Sequence, residues 1–490
     1  MNIKMDLTNE LDEIVNKGMQ TWNVPGLAIA VVQEDEVIYS AGFGVRHMDK
    51  PEKVDEHTLF SIGSNTKAFT ATAIGLLVKD GKLSWDDPVT KYLPSFQMYD
   101  SHATQLITIR DLLCHRAGLG TWAGDMLQLS SYPVEEIVRR IRYIPPAYSF
   151  RAGYGYCNLL FITAGLVIST VSGMSWDEFV STRIFEPLGM ADSVTSPLYF
   201  GDRTNIAIPH EDVKDRLQTV NFRTDNYFGP AGSICASITD MTRWMRLQLN
   251  GGMLDGEQLI DESIVNEMRI PHTIMPLNPV EKKLFPSRRF SAYGLGWFLG
   301  EQNGEFIVRH TGGVDGMLSN VVMVPDRKLG IAVLTNKLPN FAYVAIPHYL
   351  IEKLLGAPSR DWIQIFIDLQ KEAGQKSAAA KKKLKDMRVK DAKPSFNLEN
   401  YAGMYESDIL GGATISVDGA GFHIQLAAHK TLSGTLEHWH YDTFVCRWDD
   451  PVLGESLIPF INDGQGNVTE FRVTIREDWI DPLEHVFRRR

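Results

Sequence analysis

Cysteine is scarce: the 490 residues hold four, Cys114, Cys157, Cys235 and Cys446. They are too few and too scattered for a disulfide framework or a C-x-x-C metal site, so buried, reduced thiols are expected. Long apolar runs are missing as well. No window approaches about 20 uninterrupted apolar residues, and no membrane span is expected. The opening stretch MNIKMDLTNELDEIVN lacks the apolar run and small-residue cleavage site of a secretory signal, and a cytoplasmic location is expected. Positive charge is in deficit, with 49 Lys and Arg against 60 Asp and Glu and a net charge of −11. That balance repels phosphate backbones and excludes nucleic acid as a main partner. Several common motifs are also absent. There is no G-x-S-x-G elbow. There is no Walker A loop, no H-E-x-x-H, and no complete G-x-G-x-x-G, since Gly153-Tyr154-Gly155 lacks its third glycine. Neither a cofactor nor a metal is expected.

What is present suits a large globular core, with 44% hydrophobic and 10% aromatic residues. Leu11, Ile14, Val15, Met19 and Trp22 recur at helical spacing up to the break at Pro25-Gly26. Strand-like runs follow at 27–32 and 37–45. A helix is expected from about Ser64 to Lys79, with Gly81 just past its end. The pattern then stays mostly helical to about residue 270, including a capped start at Ser237-Ile238-Thr239-Asp240. Strand signals return at 306–310, 318–324 and 331–334. Strands at both ends with helices between them predict an α+β fold, one antiparallel sheet with a helical insertion, over residues 1–365.

Residues 366–398 read as a linker. Its stretch 371–393 carries nine Lys or Arg against three Asp or Glu, which fits a solvated helix better than an anion-docking surface. Residues 399–490 then alternate in short strands at 414–417, 422–426, 444–448 and 471–475, with Gly-containing turns, and predict an all-β, barrel-like domain.

Three elements carry chemistry. Ser64-Asn65-Thr66-Lys67 places a hydroxyl and an amine one helical turn apart, and Ser64 is the only serine with lysine at the third following position. The lysine can ease deprotonation of the serine, and the helix start offers N–H groups to a developing oxyanion. Tyr156-Cys157-Asn158 is the only Tyr-x-Asn in the chain. Its phenol can serve as a base and its amide can orient the lysine or a substrate carbonyl. His310-Thr311-Gly312-Gly313 ends a strand-like run, where the glycines let an extended substrate lie close and the Gly313 N–H can complete an oxyanion hole.

In this order the three elements resemble the penicillin-recognising serine hydrolases, with their S-x-x-K, Y-x-N and K-T-G or H-T-G motifs. The similarity is closest to the branch of class C β-lactamases, D-alanyl-D-alanine carboxypeptidases, D-aminopeptidases and related esterases. Val24-Pro25-Gly26-Leu27, Phe60-Ser61-Ile62-Gly63, residues 107–113 with His115, and Gly229-Pro230-Ala231-Gly232 support it. The resemblance implies a β-lactamase/transpeptidase-like fold and an acyl-enzyme on Ser64, with Lys67 and Tyr156 moving the proton. Asn158 would position Lys67 or substrate, the N–H groups of Ser64 and Gly313 would bind the oxyanion, and His310 with Thr311 would orient substrate beside Gly312. Histidine at 310, where lysine is usual, points away from strong β-lactamase activity. It points toward short peptides or amides, D-residue-containing ones included, and small esters. A promiscuous carboxylesterase or weak β-lactamase is the alternative, and a non-catalytic scaffold of the same fold the rival class.

Residues 398–405 look like the start of the lipocalin-like domain appended to many such enzymes. That domain is expected to shape substrate access or self-assembly into a homo-oligomer and to take no share in bond breaking. His438, His440 and Asp442 alternate as metal ligands can, but an ordinary polar barrel face explains them, and no metal is assigned.

Overall fold

The computed structural model describes residues 3–213, 216–222, 228–314, 316–419, 421–429, 432–450, 453–475 and 481–490. Packing divides the chain into two compact units, and both are discontinuous in sequence. The first holds Met1–Pro94, Ile107–Ala117 and Leu160–Leu369; the second holds Ser95–Leu106, Gly118–Leu159 and Gln370–Arg490.

The first unit is built on an eight-stranded antiparallel sheet. In chain order its strands are β1 (Gly26–Gln33), β2 (Glu36–Gly44), β3 (Thr273–Met275), β4 (Ser291–Tyr293), β5 (Phe298–Gln302), β6 (Glu305–Val314), β7 (Met317–Val324) and β8 (Leu329–Thr335). They lie in the order β2-β1-β8-β7-β6-β5-β4-β3. β1, β7 and β8 are buried along nearly their whole length, which is why they read as continuous apolar runs without alternation. Leu27, Ile29 and Val31 face one side, where helix α1 (Ile3–Trp22) supplies Leu11, Val15, Met19 and Trp22 to a common core. Truncating such a buried leucine to alanine costs about 2–5 kcal/mol.

Helix α2 (Thr66–Lys79) is buried over twelve of its fourteen residues, so it is enclosed on all sides and carries no amphipathic stripe. The expected stop holds: Gly81 takes φ +68° and its N–H bonds the Val78 carbonyl. Helix α3 (Asn158–Ser172) crosses from the second unit into the first. Helix α4 (Ile238–Leu249) begins as predicted, with Ser237 accepting from the Asp240 N–H. Strands β3, β4 and β5, which the sequence pattern did not disclose, complete one side of the sheet. All four cysteines are buried, and burial pushes the Cys114 and Cys235 thiols up to about 12.

In the second unit eight strands close into a barrel: β9 (Gly403–Ser407), β10 (Gly411–Asp418), β11 (Gly421–Leu426), β12 (Ser433–His440), β13 (Thr443–Trp448), β14 (Glu455–Asn462), β15 (Val468–Val473) and β16 (His485–Arg489). Pairing of Tyr405 with Arg489 closes the ring. Alternate residues point inward, and Tyr401, Tyr405, Phe422, Phe444, Phe460, Phe471 and Phe487 fill the interior. Helix α5 (Trp362–Asp386) covers only the first part of the segment 366–398 and is exposed from residue 371 on, with Lys376–Glu372 and Lys382–Asp386 pairs along its surface. The residues weighed as metal ligands hold the chain entering the barrel. His440 Nδ1 accepts from the Val389 N–H, and the Asp442 carboxylate accepts from the Ser395 N–H and the Tyr401 hydroxyl. Among the described residues no single helix is long and apolar enough to cross a membrane.

The segment Gly118–Leu159 belongs to the barrel's unit. Arg140 donates to the Asp408 and Ile409 carbonyls at 2.9 Å each, and the Ser131 N–H donates to the Ala428 carbonyl at 2.7 Å.

Candidate active site

The Ser64 corner is set by close backbone packing. Phe60–Ser61 pair with Cys235–Ala236, and the chain then tightens into a single 3₁₀ turn, Gly63–Asn65, before α2 begins. Gly63 sits at φ +53°, a left-handed conformation costly for any residue with a Cβ. A Cβ built there would lie 2.7 Å from the Gly313 nitrogen, and one built on Gly312 would lie 1.8 Å from the Ile62 carbonyl oxygen. Glycine at both positions is what brings β6 against the serine turn. Asn65 locks the contact by donating to Ser319 Oγ at 2.7 Å, and Ser319 donates on to the Ile62 carbonyl at 2.6 Å.

Ser64 is half-buried, and its N–H falls among the first donors of a helical segment, which have no intrahelical acceptor. Lys67 is fully buried. Its Nζ donates to Ser64 Oγ at 3.0 Å and to the Ala231 carbonyl at 2.7 Å, and it lies 5.3 Å from the centre of the Phe161 ring. The short helix Gly229–Gly232 therefore has a job that its sequence did not disclose: it presents a carbonyl to the amine. Thr70 anchors that helix through the Pro230 carbonyl at 2.7 Å.

On β6, Thr311 and Gly313 are half-buried, and His310 and Gly312 are buried. Strand β5 pairs with β6 only as far as Arg309, so residues 310–314 are paired with β7 on one edge and, among the described residues, with no strand on the other. The His310 Nδ1 lies 2.6 Å from the Thr311 carbonyl oxygen, which can only accept, so that nitrogen carries the proton. Nε2 then accepts from the Tyr293 hydroxyl at 2.9 Å. Burial first, and the Lys67 charge second, lower the His310 pKa to about 3. The imidazole is neutral, 1% exposed and turned to Tyr293. Of the two side chains expected to orient substrate, His310 is thus buried against Tyr293 and Thr311 is half-buried.

His115 lies behind the same corner, 4.5 Å from the Tyr293 ring and 5.3 Å from Phe161. Burial, then Lys67 and His310, hold its pKa well below the usual range. A capped turn delivers it: Asp111 accepts from the Thr108 N–H and hydroxyl, and Arg116 pairs with the other carboxylate oxygen at 2.7 Å.

Tyr156 and Asn158 lie in the second unit, at the start of α3. The turn at residues 121–126 grips them. The Tyr156 N–H donates to Thr121 Oγ1 at 3.1 Å, its carbonyl accepts from the Trp122 N–H at 2.7 Å, and Asn158 Nδ2 donates to Asp125 Oδ2 at 2.6 Å. Asn158 and Asp125 are 6% and 2% exposed. The structure thus places Ser64, Lys67 and residues 310–313 in one unit and the Tyr-x-Asn pair in the other. Sequence reasoning missed Tyr293 and Asp125; His115 and Ala231 stood only inside supporting stretches, without a role.

The family model described as Beta-lactamase matches residues 11–355, about 70% of the chain. The chain belongs to the beta-lactamase family. A domain of unknown function (DUF3471) matches residues 387–485. Among known proteins, the unguisins hydrolase ungD of Aspergillus violaceofuscus is 28% identical over 86% of this chain and 78% of its own length. The protein flp of Staphylococcus aureus is 27% identical over 70% of this chain and 66% of its own. In fold, the octameric penicillin-binding protein homologue from Pyrococcus abyssi aligns over 98% of this chain and 99% of its own, with a TM-score of 0.64 and 21% identity.

Proposed function

We propose that this beta-lactamase family member is a serine hydrolase that acts through an acyl-enzyme on short peptides, amides or small esters. The observation that carries the reading is the buried Lys67 amine 3.0 Å from Ser64 Oγ. Ser64 Oγ attacks the substrate carbonyl carbon as its proton passes to Lys67 in its neutral form or to Tyr156, which enters on the motif order in the sequence. The carbonyl oxygen gains the negative charge and takes hydrogen bonds from the N–H groups of Ser64 and Gly313. Collapse expels the amine or alcohol with a proton, and water then cleaves the acyl-serine. Asn158 positions the proton-carrying groups, and Thr311 holds the substrate along the open edge of β6. The relative named as a hydrolase supports the class of reaction.

The neutral His310 favours substrates whose end near β6 is uncharged. A cationic lysine there would suit a carboxylate, and a buried imidazole held at about 3 does not supply that charge. Esters and amides therefore stand ahead of carboxylate-bearing β-lactams. The octameric state of the Pyrococcus abyssi homologue supports self-association, which light scattering would measure, and fractionation would test the cytoplasmic location. For the activity itself, p-nitrophenyl esters, D-amino-acid amides and nitrocefin are compared with parent and Ser64→Ala proteins. Esters or amides should turn over fastest, and only with Ser64 present; nitrocefin leading by tenfold or more would reverse the substrate preference.

A further inference from the structure

The turn that holds Asn158 is itself held from far along the chain, within the same unit. Asp481, in the segment leading into β16, is completely buried. Its Oδ1 accepts from the Gly124 N–H at 3.1 Å, and its Oδ2 accepts from the Met126 N–H at 3.3 Å. These donors flank Asp125, whose carboxylate binds the Asn158 amide. The Asp481 carboxylate is fixed in turn by the Leu483 N–H at 3.0 Å and by His485 Nε2 at 3.1 Å. Gly124 stands at φ +78° ahead of the 3₁₀ helix Asp125–Leu129, whose leading N–H groups have no acceptor in their own helix. Asp481 supplies the missing acceptor.

We propose that Asp481 is a positioning residue for the hydrolytic site: through residues 124–126 it sets where Asp125, and hence the Asn158 amide, can sit. This rests on the reading of Tyr156 and Asn158 as part of the machinery. It gives the C-terminal domain a share in the chemistry, contrary to the expectation that the domain affects only access or assembly. The geometry demands a side chain with two accepting oxygens, since both Oδ1 and Oδ2 take hydrogen bonds. An asparagine at 481 keeps the shape but offers one acceptor oxygen, and its amide N–H₂ would face the Met126 N–H or His485, donor against donor. Small displacements of a positioning group are felt strongly in the rate, whereas substrate binding elsewhere is untouched.

The test is a double-mutant cycle in the full-length protein, with p-nitrophenyl acetate hydrolysis and fluorophosphonate labelling of Ser64 as readouts. Asp481→Asn should lower kcat by about tenfold with KM within twofold of the parent. In an Asn158→Ala background the same change should lower kcat less than twofold, because the group it positions is gone. Equal losses in both backgrounds would mean a merely structural role and would overturn the proposal. So would a D481N protein as active as the parent while N158A is impaired. An N158A protein with parental activity, with Ser64→Ala inactive, would instead overturn the underlying reading of the Tyr-x-Asn pair. Melting curves establish that each variant is folded. If D481N does not fold, His485→Gln, which loosens Asp481 without removing it, goes through the same cycle and the same outcomes decide.

Discussion

The serine corner and the Tyr-x-Asn turn both sit at helix starts, but different forces hold them. At Ser64 the fixing elements are main chain and small side chains in contact: Gly63 against residues 312–313, and Asn65 on Ser319, within a single unit. At Asn158 they are carboxylates in series, Asp125 and then Asp481, taking hydrogen bonds from an amide and from main-chain N–H groups. Close-packed backbone admits no added atom, so the first arrangement fails abruptly. Hydrogen bonds to charged groups contribute about 1.5–3 kcal/mol each and can be lost singly, so the second loosens by steps. The serine corner is thus the rigid arrangement and the Tyr-x-Asn turn the adjustable one.

The harshest break is Ser64→Ala. Turnover and fluorophosphonate labelling should fall on the order of 10⁴-fold or more, with the melting temperature unmoved, because a half-buried hydroxyl contributes little to the core. Activity within a few-fold of the parent would remove Ser64 from the mechanism. Lys67→Arg should be nearly as damaging, since arginine keeps the charge but cannot take a proton near neutral pH. Substantial residual turnover in that variant would route the proton through Tyr156 alone.

Gly312→Ala tests the abrupt side of the comparison. The added methyl group meets the Ile62 carbonyl at 1.8 Å, so the strand must withdraw from the serine turn. We expect a loss of about 2–3 kcal/mol in stability and at least about 10²-fold in rate, read by melting and by ester hydrolysis. A tolerated alanine would show that close packing is not what fixes the corner.

The smallest effect concerns protons. Burial keeps His115, His310 and His348 neutral in the folded chain, with His310 held at about 3. The unfolded chain takes up a proton at each below about pH 6.5. Their stabilising contribution is therefore complete above that pH and shrinks as pH falls toward the folded values, by up to about 1.4 kcal/mol per pH unit per histidine. His348 stacks on Trp362 at 4.5 Å, so His348→Phe preserves its packing. The melting temperature of that variant should fall less steeply than the parent's between pH 6.5 and 5; parallel curves would contradict the assignment.

What could be read in advance follows from range. Ser64 and Lys67 lie one helical turn apart, and the barrel strands that alternate cleanly, β10 and β11, show their inward faces in the sequence. Strands β3 and β4 have three residues each, too few to establish a period, and β4 is wholly buried. β14 was hidden by Pro459 in its interior, and β12 by its polar His438-Trp439-His440 end. The burial of His310 could not be anticipated, because Gly312 and Gly313 follow it in β6 and leave no side chains to carry the inside-outside pattern on. Asp125 and Asp481 carry no motif at all; only the fold brings them to Asn158.

The bond between Gly124 and Asp481 spans 357 residues, and that separation is also a delay. A ribosome adding about 5–20 residues per second makes the turn at 121–126 roughly 20–70 s before the carboxylate that caps it. The serine corner has its packing partners sooner, since Ser319 lies on β7, which ends at Val324. A growing chain therefore carries a formed serine and lysine while the turn that holds Asn158 still lacks its distant anchor, so the two arrangements are completed at different times.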